Sequence, residues 1–318
     1  MIQGKKISIV IPVYNVGDQI IGLIEKIPSF VDQIYVVDDK CPMNTGKKCE
    51  KLNHNNNKIK VLYNEKNLGV GAAVKFGYQE SIKNNCELIV KIDGDNQMNP
   101  NEIKKLVDRL LTGYDYVKGN RFLNKAEIIN YPPVRFYGNI FLSFLSKLST
   151  GYWNIFDTVN GFTCIKAKIV NKINLNEVDN GYFFETDLLF NLNLIKCRVA
   201  DVPVTIKYFK DRKQNMSISK ETIRFFYKNI SRIKRRIIHQ YFSNNFTIGS
   251  FFGITSFFLF LFSIFFGGYN WIKYGIILKL LAPTGIVILS FTSLIISILF
   301  LGVFLFIDSQ NDPNNFND

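Results

Sequence analysis

Over the first third of the chain, short apolar runs alternate with segments whose apolar residues recur at helical spacing. Residues 7–12, 33–37, 59–63, 88–92 and 116–119 have the length and β-branched content of strands. Between them, 17–27, 71–84 and 100–111 read as helices. Strands separated by single helices of this length imply βαβ units and a mostly parallel sheet, so the fold class is α/β. Ligands of such sheets sit beyond the carboxyl ends of the strands. That singles out Tyr14 and Asn15, Asp38 and Asp39, Asn64, and the stretch from Asp93 to Gln97.

The pattern loosens between 120 and 215. Pro132 and Pro133 break the chain, and helices are expected at 134–148 and 184–194. Residues 198–208 read as a strand, and Pro203 places it at a sheet edge. From 217 to 242, Ile223, Phe226, Tyr227, Ile230, Ile233, Ile237 and Tyr241 form one helical stripe. Arg224, Lys228, Arg232, Lys234, Arg235 and Arg236 fill much of the remainder, the pattern of a helix lying at a lipid interface. Two charge-free runs follow, 246–266 and 283–307. A span needs about 20 apolar residues, so both qualify as transmembrane helices. Tyr269, Trp271 and Tyr274 in the connection suit a membrane interface, and cations are dense before the first span but reduced to Lys273 and Lys279 after it. The positive-inside bias then puts the N-terminal domain in the cytosol. The expected organisation is a cytosolic domain at 1–215, an amphipathic juxtamembrane helix at 216–243, a two-helix hairpin at 244–308 and a disordered tail at 309–318.

Composition sharpens this outline. The 318 residues carry 39 Lys and Arg against 26 Asp and Glu, a net charge of +13. Such an excess calls for a polyanionic partner. The cations cluster beside the apolar runs and form no exposed stripe with aromatics, which favours a lipid bilayer or phosphorylated substrate over nucleic acid. Five scattered cysteines with no C-x-x-C pair read as free thiols in a reducing cytosol. The two histidines, His54 in an Asn-rich loop and His239 at the membrane-proximal helix, are poor catalytic candidates.

Three segments could carry chemistry. In KIDGDNQMNP (91–100), Asp93, Asp95 and Gln97 follow an apolar strand at alternate positions, an oxygen-rich set suited to a hard cation such as Mg²⁺ or Mn²⁺. In VVDD (36–39), Asp38 and Asp39 stand at a strand end, able to accept from a nucleoside or to cap a helix. In NLGVGAAVKFGYQES (67–81), Gly69, Gly71, Ala72 and Ala73 permit close backbone approach to a ligand or a strand. The spacing is not G-x-G-x-x-G after a strand, which disfavours a dinucleotide site.

In order, IPVYN (11–15), VVDD (36–39), NLGVGAA (67–73), DGDNQMNP (93–100), GNRF (119–122), DTVNGF (157–162), FFETDLL (183–189) and DVPV (201–204) resemble family 2 glycosyltransferases of the GT-A fold, a Rossmann-like architecture. The two C-terminal spans make the chain similar to the polyprenyl-phosphate hexose synthase branch, which includes dolichyl-phosphate mannose synthases and undecaprenyl-phosphate glucosyltransferases. The resemblance implies transfer of a hexose from a UDP- or GDP-linked donor to undecaprenyl or dolichyl phosphate, with inversion. It implies that Pro12, Tyr14, Asp38, Asp39 and Asp93 line the nucleotide pocket, and that Asp93, Asp95 and Gln97 hold Mg²⁺ or Mn²⁺. Asp95, Arg121 and Arg135 become the catalytic candidates, and Arg135, Lys207 and Arg212 would bind the acceptor phosphate. Arginine suits that task because its planar fork makes paired hydrogen bonds. Self-association is left open.

Three departures stand out: Val16 where the family places Glu, DDKCPMNTG (38–46) where it has D-D-G-S, and DRKQNMSIS (211–219) where it has R-x-x-G-x-S-K. A non-catalytic membrane nucleotide-sugar binder is the alternative from another class. A processive polysaccharide synthase is the alternative enzyme, though the chain lacks that group's Q-x-x-R-W motif.

Overall fold

The computed structural model describes residues 1–52, 58–123, 133–206, 218–243 and 246–315. It divides the chain into two units, one running to Ile233 and the other from Lys234 to Asn315.

The first unit is built on a mixed seven-stranded sheet. Its strands are β1 (Ile7–Val13), β2 (Gln33–Asp38), β3 (Ile59–Tyr63), β4 (Leu88–Lys91), β5 (Tyr116–Asn120), β6 (Thr163–Lys166) and β7 (Val199–Pro203). Their spatial order is β3-β2-β1-β4-β6-β5-β7. Strand β6 alone runs against both of its neighbours, β4 and β5. The helices are α1 (Gln19–Ile24), α2 (Thr45–Leu52), α3 (Val70–Lys83), α4 (Ile103–Leu111), α5 (Pro133–Thr150), α6 (Ala167–Val170), α7 (Phe184–Leu194) and α8 (Ile218–Ile238), whose last residues belong to the second unit.

Period-two alternation in β1 builds the two faces of the core. Ile7, Ile9, Ile11 and Val13 pack on one side with Leu23 of α1 and with Leu106 and Leu110 of α4. Val10 packs on the other with Val74 and Tyr78 of α3 and Leu188 of α7. Each such side chain withdrawn from water contributes about 1.5–3 kcal/mol, so this alternation sets the register.

The five expected strands and the helices at 71–84, 100–111, 134–148 and 184–194 appear within one to three residues of their expected bounds. The helix expected at 17–27 shortens to Gln19–Ile24. The strand with Pro203 lies at the sheet edge, as its missing amide requires. Three elements were not foreseen, among them the single-turn helix α6. Helix α2 (TGKKCEKL) is too polar to show an apolar stripe, and β6 is a four-residue strand with polar ends.

Along α8, Lys228 pairs with Asp179 and Arg232 with Asp187 at 2.6 Å. These cations recur every four residues on one stripe and are spent on carboxylates inside the first unit. Ile223, Tyr227 and Ile230 of the apolar stripe are exposed instead.

The second unit contains α9 (Ile248–Trp271), extended by a π-helical turn at Ile272–Ile277, and α10 (Thr284–Gln310). Both are long and apolar enough to cross a membrane. The described part of the tail is ordered rather than disordered. Helix α10 runs to Gln310, a 3-10 turn follows at Pro313–Asn315, and Asn314 donates its amide to Asp312 at 2.9 Å. The cause is local: Asp312 caps that turn, and the Asn315 side chain donates back to the Ser309 carbonyl at 3.0 Å.

Candidate active site

A cavity of about 700 Å³ opens in the first unit at the carboxyl ends of β1, β2 and β4. Parallel strands deliver it: β1 contributes Pro12 and Val13, the turn after it Tyr14 and Val16, the end of β2 Asp39, and β4 with its following turn Lys91, Asp93 and Asp95. The rest of the lining comes from later in the chain and includes Arg121, Phe156, Asp157, Tyr182, Glu185 at the start of α7 and Phe225 of α8.

Asp39 lines this cavity and builds it. Its Oδ1 accepts from Asn64 Nδ2 at 2.7 Å and the Leu68 amide at 2.9 Å, and its Oδ2 from the Gly69 amide at 2.8 Å. Gly69 has φ +96°, and a Cβ there would stand 2.5 Å from the Asn180 carbonyl oxygen. Only glycine therefore lets the 67–73 turn lie against residues 179–181. Asp38 has a different task from the one expected of it. Its Oδ1 accepts from the Cys41 amide at 2.6 Å and its Oδ2 from the Gly46 amide at 2.8 Å, so it is buried behind the wall and shapes the 41–46 loop.

Lysine 91 is the centre of the acidic wall. It is 2% exposed, and its Nζ lies 2.7 Å from Asp93 Oδ1 and 2.6 Å from Glu185 Oε1. Burial alone would lower its pKa, but the two carboxylates outweigh that cost and lift it above the ordinary lysine value. Asp95 Oδ1 accepts from the Gln97 amide at 3.2 Å. Gln97 itself is not on the cavity wall. Arg121 is held by Asp157 through Nε at 2.7 Å and Nη2 at 2.8 Å. Burial works to raise the Asp157 carboxyl, and Arg121 overrides it and holds the pKa below the usual value. Behind this pair, Lys118 is wholly buried and donates to the Asn160 carbonyl at 3.0 Å. Burial lowers its pKa to about 8, only partly offset by Asp157 and Asp201. Burial likewise raises Asp201 to about 6, with Lys118 opposing.

The structure thus brings Pro12, Tyr14, Asp39, Asp93, Asp95 and Arg121 together around one cavity. Arg135 falls on α5, with its side chain outside the described set; Lys207, Arg212 and His54 lie outside the described residues. Sequence reading gave no role to Lys91, Asp157, Tyr182 or Glu185. A lysine inside the apolar strand ELIVKI was the available signal, because an unpaired buried ammonium is prohibitively costly.

Residues 8–173 match the family model described as glycosyl transferase family 2. The chain belongs to that family. This glycosyltransferase is 26% identical over 217 residues to a polyprenol monophosphomannose synthase of Mycolicibacterium smegmatis, covering 67% of the chain and 80% of the relative. It is 29% identical over 218 residues to a UDP-N-acetylglucosamine–dolichyl-phosphate N-acetylglucosaminyltransferase of Methanococcus voltae, covering 64% and 86%. Among solved structures, glucosyl-3-phosphoglycerate synthase of Mycobacterium tuberculosis, in complex with Mn²⁺, UDP-glucose and phosphoglyceric acid, superposes with a TM-score of 0.56 at 19% identity, over 73% of this chain and 80% of that one. That likeness establishes the GT-A fold of the glycosyltransferase. In the expected location of the family's Glu, Val16 gives the cavity an apolar patch.

Proposed function

We propose that the glycosyltransferase moves a hexose from a UDP- or GDP-linked donor to a polyprenyl phosphate, with inversion at the anomeric carbon. One observation carries this reading: Asp93 and Asp95, at the end of β4, share a cavity wall with Tyr14, Asp39 and Arg121, in a chain that ends in two membrane-length helices.

The donor set fits a divalent cation completed by substrate. Among the described residues, no three His, Cys, Asp or Glu side chains gather as a self-sufficient metal site. Mg²⁺ and its like commonly bind through one or two carboxylates plus substrate phosphates, and Asp93 and Asp95 supply that number. Bound there, such a cation offsets charge on a departing nucleoside diphosphate.

The chain's own residues position and polarise. Pro12, Tyr14 and Asp39 form the nucleoside side of the cavity. Arg121, immobilised by Asp157, presents fixed positive charge to phosphate oxygens. Arg135, Lys207 and Arg212 are assigned to the acceptor phosphate. That phosphate is ionised at neutral pH, so its oxygen attacks the anomeric carbon in line while the bond to the nucleoside diphosphate breaks, and no strong general base is needed. The positive-inside pattern supports a cytosolic first unit, and the exposed Ile223, Tyr227 and Ile230 of α8 suit contact with headgroups.

Membranes containing the full chain, given radiolabelled UDP- and GDP-sugars and undecaprenyl or dolichyl phosphate, are expected to yield labelled lipid that is lost in Asp95→Ala. Nucleotide binding with no labelled lipid from any donor would replace this reading with that of a non-catalytic binder.

A further inference from the structure

Three motifs that are far apart in sequence meet at the Lys91 ammonium. Lys91 closes β4 and Asp93 lies two residues on, in the turn after it, where its Oδ1 meets the ammonium at 2.7 Å. Glu185 reaches the ammonium from the first turn of α7. Gly161 forms the floor: a Cβ there would stand 2.2 Å from Lys91 Nζ and 2.6 Å from Asp93 Oδ2. The GF of DTVNGF and the FET of FFETDLL thus share one purpose, to let a buried ammonium rest on the carboxylate that faces the cavity.

The charge balance gives this arrangement its consequence. Asp93, Asp95 and Glu185 are three carboxylates on one wall, and Lys91 offsets one of them from inside. It does so at Asp93 Oδ1, leaving the other oxygen for any incoming ion. A free divalent cation meets a partly neutralised site guarded by a like charge. A diphosphate arriving with it adds negative charge at that place and restores the attraction.

We infer that Lys91 is a positioning residue that makes cation binding at Asp93 depend on the donor diphosphate, so that metal and nucleotide enter together. This rests on the reading of Asp93 and Asp95 as cation ligands given above.

The test compares wild type, Lys91→Met and Glu185→Gln as full-length protein in detergent or nanodiscs. Free Mn²⁺ is followed by electron paramagnetic resonance, with Mn²⁺ alone and with UDP or GDP added. Lys91→Met is expected to bind Mn²⁺ alone about tenfold more tightly than wild type, and to lose most of the enhancement that nucleotide gives. Glu185→Gln removes a carboxylate and leaves Lys91 to Asp93, so Mn²⁺ alone should bind at least about threefold more weakly. A purely structural Lys91 would lower the melting temperature and leave both Mn²⁺ affinities where they were. Affinity for Mn²⁺ alone within about twofold of wild type in folded Lys91→Met would overturn the inference. Should Lys91→Met fail to fold, Glu185→Gln decides, and unchanged or tighter Mn²⁺ binding there overturns it. If wild type holds no Mn²⁺ even with UDP and GDP, the cation-site reading itself falls. If it holds Mn²⁺ and the variants do not differ, only the role of Lys91 falls.

Discussion

The two units of this chain arrange polarity in opposite ways. In the first, the interior is mostly Ile, Val, Leu and aromatic, and the charges buried with it, such as Lys91, Lys118, Asp157 and Asp187, are paired or hydrogen-bonded. In the second, the buried positions of α9 and α10 include Gly249, Ser256, Ser263, Ser293, Ser297 and Asp308, while Phe257, Phe265, Ile288, Phe291 and Leu299 point outward. Ser256 and Ser297 exchange hydrogen bonds with each other's carbonyls at 2.9 and 3.0 Å, and Ser263 donates to the Ser290 carbonyl at 2.8 Å. Helix rules are the same in both units; the solvent they imply is not. Apolar residues gain nothing by leaving a lipid phase, so small and hydrogen-bonding residues make the helix contact there. Ionic burial differs as well. The first unit spreads it over a network around Lys91, Lys118 and Arg121. The second has a bidentate pair, Arg236 with Asp308 at 2.8 Å through both nitrogens, to which the Tyr241 hydroxyl also donates.

Asp95→Ala strikes the cavity and should have the largest effect. Sugar transfer should fall by about a hundredfold or more, with the melting temperature nearly unchanged. Unaltered turnover in the purified variant would remove the acidic wall from the chemistry. Next is the pair in the second unit. Asp308→Ala removes the carboxylate that both Arg236 nitrogens reach and should cost about 3–5 kcal/mol in denaturant unfolding. The double replacement Arg236→Met with Asp308→Leu should recover most of that loss; a small cost for Asp308→Ala alone would show that this buried pair carries little of the unit's stability.

A third prediction concerns the network of the first unit. Burial raises Asp201 to about 6, above its unfolded value, so the protonated form favours the folded state. Its stabilising contribution is complete below about pH 4 and declines as pH rises through about 6. Relative to Asp201→Asn, wild type should therefore lose about 2–3 kcal/mol, read as several degrees of melting temperature, between pH 4 and 7. A constant difference across that range would show that the enclosed carboxyl does not titrate there. The smallest effect is expected from Ser256→Ala, about 0.6 kcal/mol for one interhelical hydrogen bond in an apolar medium. A loss several times larger would mean that the serines, rather than the Arg236–Asp308 pair, hold the hairpin together.

The parts of the molecule legible from sequence are those governed by local pattern. Short apolar runs at β1, β2 and β4, helical spacing in α3, α4 and α7, and two long charge-free runs were enough for the sheet, the helices and the apolar hairpin. Asp39, Asp93 and Asp95 were legible because residues following parallel strands must lie at the sheet's carboxyl edge. Antiparallel β6 was not, since a four-residue strand with polar ends has too little periodicity to read. Nor was the duty of Asp38, because an acid at a strand end can serve a ligand or a loop equally well, and only the placement of Cys41 and Gly46 chooses. The cations of α8 divide in the same way: spacing predicted a basic stripe, while contact with Asp179 and Asp187 decided where it is spent.

By itself, then, the order of residues determined secondary structure, sheet class, the family and the two apolar helices, all of which depend on periods of two to four residues or on run length. Only tertiary structure decided that Lys91, Gly161 and Glu185 converge, that Arg121 rests on Asp157, and that Arg236 finds Asp308. Those partners lie from about thirty to ninety residues apart, and no local propensity encodes a pairing over such a distance; it arises where burial forces each charge to meet an opposite one.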